Sequence, residues 1–76
     1  MNALTSQTFT MHHILNLKQV VAFTGISRAT IYNIMDSKSK YHDSTFPKQI
    51  NLTLGRVGWS ALEIHQWLER KMNERK

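Results

Sequence analysis

The sequence predicts a mainly α-helical domain with a small β-hairpin, arranged as a winged helix-turn-helix. Three observations point there. Two short amphipathic segments, NLKQVVAFTG and SRATIYNIM, are separated by little more than a glycine. An alternating run, QINLTL, is followed after GR by VGW. A longer amphipathic segment, WSALEIHQWLERKMN, comes last.

Residues 1 to 13, MNALTSQTFTMHH, carry no charged side chain except histidine and no clear period. They read as a flexible N-terminal arm, leaving 14–76 as the domain. In the first helical segment Asn16 is placed as N-cap, with Gln19 as the reciprocal partner of a capping box and Gly25 as the stop. Leu17, Val20, Val21 and Phe23 form its apolar side, and a helix this short must pack on a neighbour to be stable. The next helix is capped by Ser27, and Ile31, Ile34 and Met35 at i, i+3 and i+4 form a buried stripe. Two such helices joined by a glycine-containing turn are a helix-turn-helix, whose second helix can lie in a DNA major groove.

The chain then turns polar and basic through SKSKYHDSTFPK, the least structured interior stretch expected, which ends at Phe46 and the only proline, Pro47. In QINLTL, Ile50, Leu52 and Leu54 alternate with polar residues, the period of a half-buried strand. With VGW it forms a hairpin that has Gly55 and Arg56 near its tip and must lie on the helices to be stable. The last helix opens with Ser60 and Glu63 as a capping box and carries Ile64, Trp67, Leu68 and Met72 on one side. Trp59 and Trp67 supply much of the apolar area available to so small a core.

The chain has 76 residues, room for one small domain, and no cysteine, so packing alone must hold it. No apolar run approaches the roughly 18 residues that span a bilayer. The N-terminus lacks the basic start and apolar block of a signal peptide. A cytoplasmic, nucleoid-associated protein with no membrane partner is therefore expected. The formal charge is +5, and it is concentrated in the middle. Between residues 18 and 56, Lys18, Arg28, Lys38, Lys40, Lys48 and Arg56 face only Asp36 and Asp43, whereas from Ser60 onward the signs nearly cancel. Such a field suits a polyanion, because phosphate contacts release condensed counterions and supply most non-specific affinity.

Within a winged helix-turn-helix the candidate DNA-binding residues are Ser27, Arg28, Thr30, Tyr32 and Asn33 on the second helix, and Lys38, Lys40, Lys48 and Arg56 beyond it. Arg28 can meet the two acceptors of guanine or a phosphate, and Asn33 is suited to adenine through its amide. Two readings stand for Ser27, a cap alone or a cap with a phosphate contact. Tyr32 is open between a phosphate contact and a ring packed against the loop. Lys38, Lys40, Lys48 and Arg56 act as backbone clamps, with Arg56 also suited to a minor groove, although a solvated charge is the commoner fate of a loop lysine.

No metal or cofactor is expected. His12 and His13 are adjacent and diverge, and His42 and His65 form no i, i+4 ligand pair. No nucleophile elbow or glycine-rich phosphate loop is present, and a core this small hardly encloses a substrate, so an enzyme is not expected. The rival class is a small non-enzymatic protein–protein adaptor using the edge of the last helix, but only about two turns remain beyond Leu68, too little for a dimerising coiled coil.

LKQVVAFTGISRATIYNIM, FPKQINL and VGWSALEIHQWLERK together closely resemble the AlpA family of phage and genomic-island regulators, small MerR-like winged-helix proteins related to excisionases. The resemblance covers residues 15 to about 71. It implies a sequence-specific DNA-binding protein of mobile elements. Such a protein activates an integrase gene from its promoter, or acts as a recombination directionality factor that bends attachment-site DNA alongside an integrase. Ser27, Arg28, Thr30, Ile31 and Tyr32 match the family's recognition-helix motif, and Arg56 its basic wing. SKSKYHDSTFP is several residues longer than the family's usual connection, which gives the loop room for phosphate contacts of its own. A monomer of this size reads a short site, so a monomer in solution that assembles cooperatively on DNA is expected.

Overall fold

A computed structural model describes residues 13–75 of the chain. Its elements run β1 (Ile14–Leu15), α1 (Leu17–Thr24), α2 (Arg28–Met35), β2 (Ile50–Thr53), β3 (Arg56–Ser60) and α3 (Ala61–Glu74). This is the winged helix-turn-helix order, three helices with a small sheet in place of a bare hairpin.

The caps explain where the helices begin and end. Asn16 accepts the Gln19 amide at 2.8 Å while the Gln19 side chain accepts the Asn16 amide at 2.8 Å, so two amides that α1 leaves open are satisfied reciprocally. Gly25 ends α1 in the left-handed region at φ +75°, where a side chain would be strained, and its N–H donates to the Val21 carbonyl at 2.8 Å. The Thr24 hydroxyl then bridges the turn, donating to the Val20 carbonyl and accepting the Ile26 amide. Ser27 caps α2 by accepting the Thr30 amide, and Ser60 caps α3 by accepting the Glu63 amide at 3.2 Å, one half of the expected box.

The strand at residues 14 and 15 was not apparent in the sequence. It pairs antiparallel with β3, Ile14 opposite Ser60 and Leu15 opposite Trp59, and gives the sheet the order β1-β3-β2. Gly58 permits this, since a Cβ there would run into Ile14 Cγ2 and the Leu15 carbonyl oxygen. His13, the last residue of the expected arm, accepts the Ala61 amide through its carbonyl at 2.8 Å. The rest of that arm lies outside the described residues.

The core is Leu15, Val20, Ile31, Ile34, Phe46, Trp59, Ala61, Ile64 and Trp67, with Leu17, Val21, Ile26, Met35 and Leu68 packed on it. Two expectations are corrected. Phe23, placed on the apolar side of the first helix, is half exposed, because it lies at the edge of that side, on the flank of Val20 opposite to Leu17 and Val21, which pack on the core. The alternation of β2 does not mark a half-buried strand: only Ile50 is partly covered, while Leu52 and Leu54 are exposed. The turn end of the hairpin is thus left in solvent.

The connection from α2 to β2, expected to be the least structured stretch, is tightly bonded. The Ile34 carbonyl, exposed at the end of α2, accepts both the Asp43 amide at 3.0 Å and the His42 Nδ1–H at 2.9 Å. Asp43 accepts the Thr45 amide at 2.8 Å and the Thr45 hydroxyl, and pairs with Lys71 of α3 at 2.9 Å. The Thr45 hydroxyl above all holds the Asp43 carboxyl well below the usual carboxylate range; Lys71 and the Thr45 amide assist, and partial burial opposes. The same carboxylate raises the Lys71 ammonium above its ordinary value. Phe46 then inserts its ring at 5.0 Å from that of Trp67, nearly perpendicular.

Trp67→Ala is expected to remove about 3–5 kcal/mol, enough to abolish a cooperative thermal melt in a domain this small. A melt left in place would show that α3 does not seal the core. Because the folded state lowers the Asp43 pKa, its contribution is complete above the unfolded value and fades as the pH falls toward the folded one. Urea titrations across about pH 5 to 2 should therefore show a shallower acid loss of stability in Asp43→Asn than in the parent.

Candidate nucleic-acid interface

With about 3.6 residues per turn, burying Ile31 and Ile34 turns Ala29 and Asn33 to the opposite side of α2, flanked by Arg28 and Tyr32 on one edge and Thr30 on the other. All five are exposed. Tyr32 keeps half of its surface in solvent. Ile31 is a correction. It has no exposed surface, so it cannot touch a ligand, and its place in the motif is explained by the core. Ser27 and Thr30 are already bonded to each other, the Ser27 hydroxyl donating to the Thr30 hydroxyl at 2.9 Å while accepting the Thr30 amide at 3.2 Å. Capping therefore accounts for both. Ala29 was missed in the sequence, though its i, i+4 relation to Asn33 marks it, and its small side chain leaves the middle of the exposed face open to close approach.

The basic residues divide into two groups. Lys71 is consumed by Asp43 and Glu74. Arg28, Lys38, Lys40, Lys48 and Arg56 are all exposed, and none has a carboxylate partner among the described residues. The acids of the middle segment are engaged in the chain's own bonds. Asp36 accepts the Lys38 amide at 2.9 Å, and Asp43 is held by Thr45 and Lys71. Asp43 and Lys71 offset each other, so Asp43 takes little from the positive charge of α2, the loop and the wing.

The structure brings only some of these cations together. Lys48 borders a groove of about 470 Å³ whose other side is Met35 and Ser37, at the end of α2, with Phe46 and Pro47 also lining it. Lys38 and Lys40 stand in the loop, Lys40 with its Nζ 5.3 Å from the centre of the Tyr41 ring, a cation–π contact that leaves the charge outside. Arg56 opens β3, opposite Thr53, immediately after the Leu54–Gly55 turn. It therefore lies near the tip, beside the turn.

Among the described residues no group of three or more histidine, cysteine or acidic side chains could hold a metal ion, and no helix is long and apolar enough to cross a membrane. The residues that sequence reading overlooked are those that hold the frame. Asp43 and Thr45 form an aspartate turn, for which the DST run was the available signal. The bond of Asp43 to Lys71 had no local signal.

The family model described as prophage CP4-57 regulatory protein (AlpA) matches residues 13–72. Over 58 residues the chain is 45% identical to the DNA-binding transcriptional activator AlpA of Escherichia coli (strain K12), covering 76% of this chain and 83% of that protein. No solved structure matches significantly.

Proposed function

The chain belongs to the family of the prophage regulatory protein AlpA, and we propose that it is a sequence-specific, non-enzymatic DNA-binding regulator acting on mobile-element DNA in the cytoplasm, at the nucleoid. The observation that carries this reading is the set of five exposed cations without carboxylate partners, spread over α2, the loop and the wing while the acids between them are engaged elsewhere. A protein adaptor has no use for that separation. A phosphate backbone does, because each contact releases counterions.

In this reading α2 lies in the major groove with Arg28 toward guanine, Asn33 toward adenine and Ala29 where a thymine methyl fits, while Tyr32 meets the backbone. Ser27 and Thr30 act chiefly by holding the first turn of α2, whose amides face the backbone. Lys48 clamps the phosphates beside the end of α2, Lys38 and Lys40 reach the same strand from the loop, and Arg56 follows the wing into the neighbouring minor groove. The regulated gene is that of an integrase, with the protein monomeric in solution and cooperative on repeated sites. Binding at an attachment region instead of a promoter would make it a recombination directionality factor, an excisionase-like role.

Chromatin immunoprecipitation with sequencing separates these outcomes, since binding at the integrase promoter supports regulation and binding inside the attachment region supports the excisionase role. On the bound sequence Arg28→Ala should lose about 1–3 kcal/mol of specific binding, while Lys48→Ala should weaken specific and random duplexes equally and reduce the salt slope by about one. An unchanged affinity for Arg28→Ala would remove α2 from the major groove.

A further inference from the structure

The hairpin carries its most exposed apolar side chain at its very end. Leu54 is fully in solvent at 104% relative exposure, and it forms the two-residue turn with Gly55, whose φ of +85° only glycine adopts readily. Leu52 and Val57, below it, are also exposed. The register of β2 against β3 shifts between Asn51 and Thr53, so that Leu52 is the extra residue of a bulge. A bulge bends its strand and re-aims what lies beyond it. From residue 44 to residue 62 the chain has no carboxylate, but it has Lys48 and Arg56, and Arg56 sits immediately after the turn.

A single exposed leucine needs no explanation on most surfaces. Here it caps an acid-free hairpin beside an arginine, and that combination suits one occupant. Apolar wedges that enter base steps from the minor groove are flanked by cations that hold the phosphates, and the insertion unstacks the step and kinks the duplex. We propose that Leu54 is such a wedge, inserted at a base step of the minor groove with Arg56 beside it, so that the wing deforms the DNA as well as contacting it. The proposal rests on the DNA-binding reading above. It adds a residue and a mode of recognition, because a step that unstacks easily would be preferred without any hydrogen bond to its bases.

The test uses duplexes selected from a random library by the full-length protein, resynthesised with 2-aminopurine at each position of the bound site in turn. At saturating protein, fluorescence should rise at one step beside the region protected by the wing. Leu54→Ala should bind within about tenfold of the parent, since burial of the leucine and the cost of unstacking offset each other, yet lose the rise. Leu54→Met should keep it. Binding without a fluorescence rise, or a rise that persists in Leu54→Ala, overturns the wedge while leaving DNA binding intact. So does a Leu54→Ala protein that no longer saturates the duplex, or one that loses only cooperativity, which would make Leu54 a contact between copies. If the library yields no retained duplex, the DNA-binding reading itself fails, and the wedge with it.

Discussion

The perpendicular contact between Phe46 and Trp67 is the constraint on which the rest of this small fold depends. α2 and the hairpin are separated by a polar connection that has no apolar anchor of its own except Phe46, buried to 5% exposure. Burying a phenylalanine contributes about 1.5–3 kcal/mol, and an aromatic pair adds about 0.5–1.5 kcal/mol. The partly exposed Asp43–Lys71 pair beside it gives about 1 kcal/mol at most. Packing therefore fixes where the loop meets α3, and the ion pair and the bonds to the Ile34 carbonyl set its path from there. Without that anchor Lys48 would have no defined position relative to the end of α2.

The same contact explains how one chain keeps two electrostatic roles apart. Lys71 lies over the Trp67 ring and against Asp43, so a cation and an anion are spent on the frame. Of the cations left over among the described residues, five stand on α2, the loop and the wing, and Lys18, Arg70 and Arg75 on α1 and at the end of α3. This economy suits a chain without cysteine whose core, among the described residues, is nine buried apolar residues. It also has a cost, since the Nε1–H groups of Trp59 and Trp67 are buried without an acceptor among the described residues.

Much of this was legible in the residues alone, for a physical reason in each case. Caps are local, so Asn16, Gln19, Gly25, Ser27 and Ser60 were read correctly from side-chain chemistry three or four positions apart. The stripe of α2 was legible because helical period and burial coincide there. What failed was non-local. Nothing near Ile14 announces a partner at Ser60, and the space that Gly58 leaves becomes meaningful only once β1 is beside it. Alternation in β2 indicated a strand but not whether a helix would cover it, so the exposure of Leu52 and Leu54 could not be read. Ile31 shows the converse hazard. Motif position suggested contact, and the core claimed the side chain.

The central claim is that α2 and the wing are held in one frame and meet DNA together, with α3 left on the far side as support. Amide chemical-shift perturbation of the labelled protein titrated with its selected duplex tests this most directly. The account predicts large shifts at residues 27–33, around Lys38, Lys40 and Lys48, and in the hairpin around Thr53 to Val57, moving in step at one affinity, with the exposed positions Glu69 to Glu74 unmoved. Shifts centred on the C-terminal half of α3, with α2 silent, would contradict it.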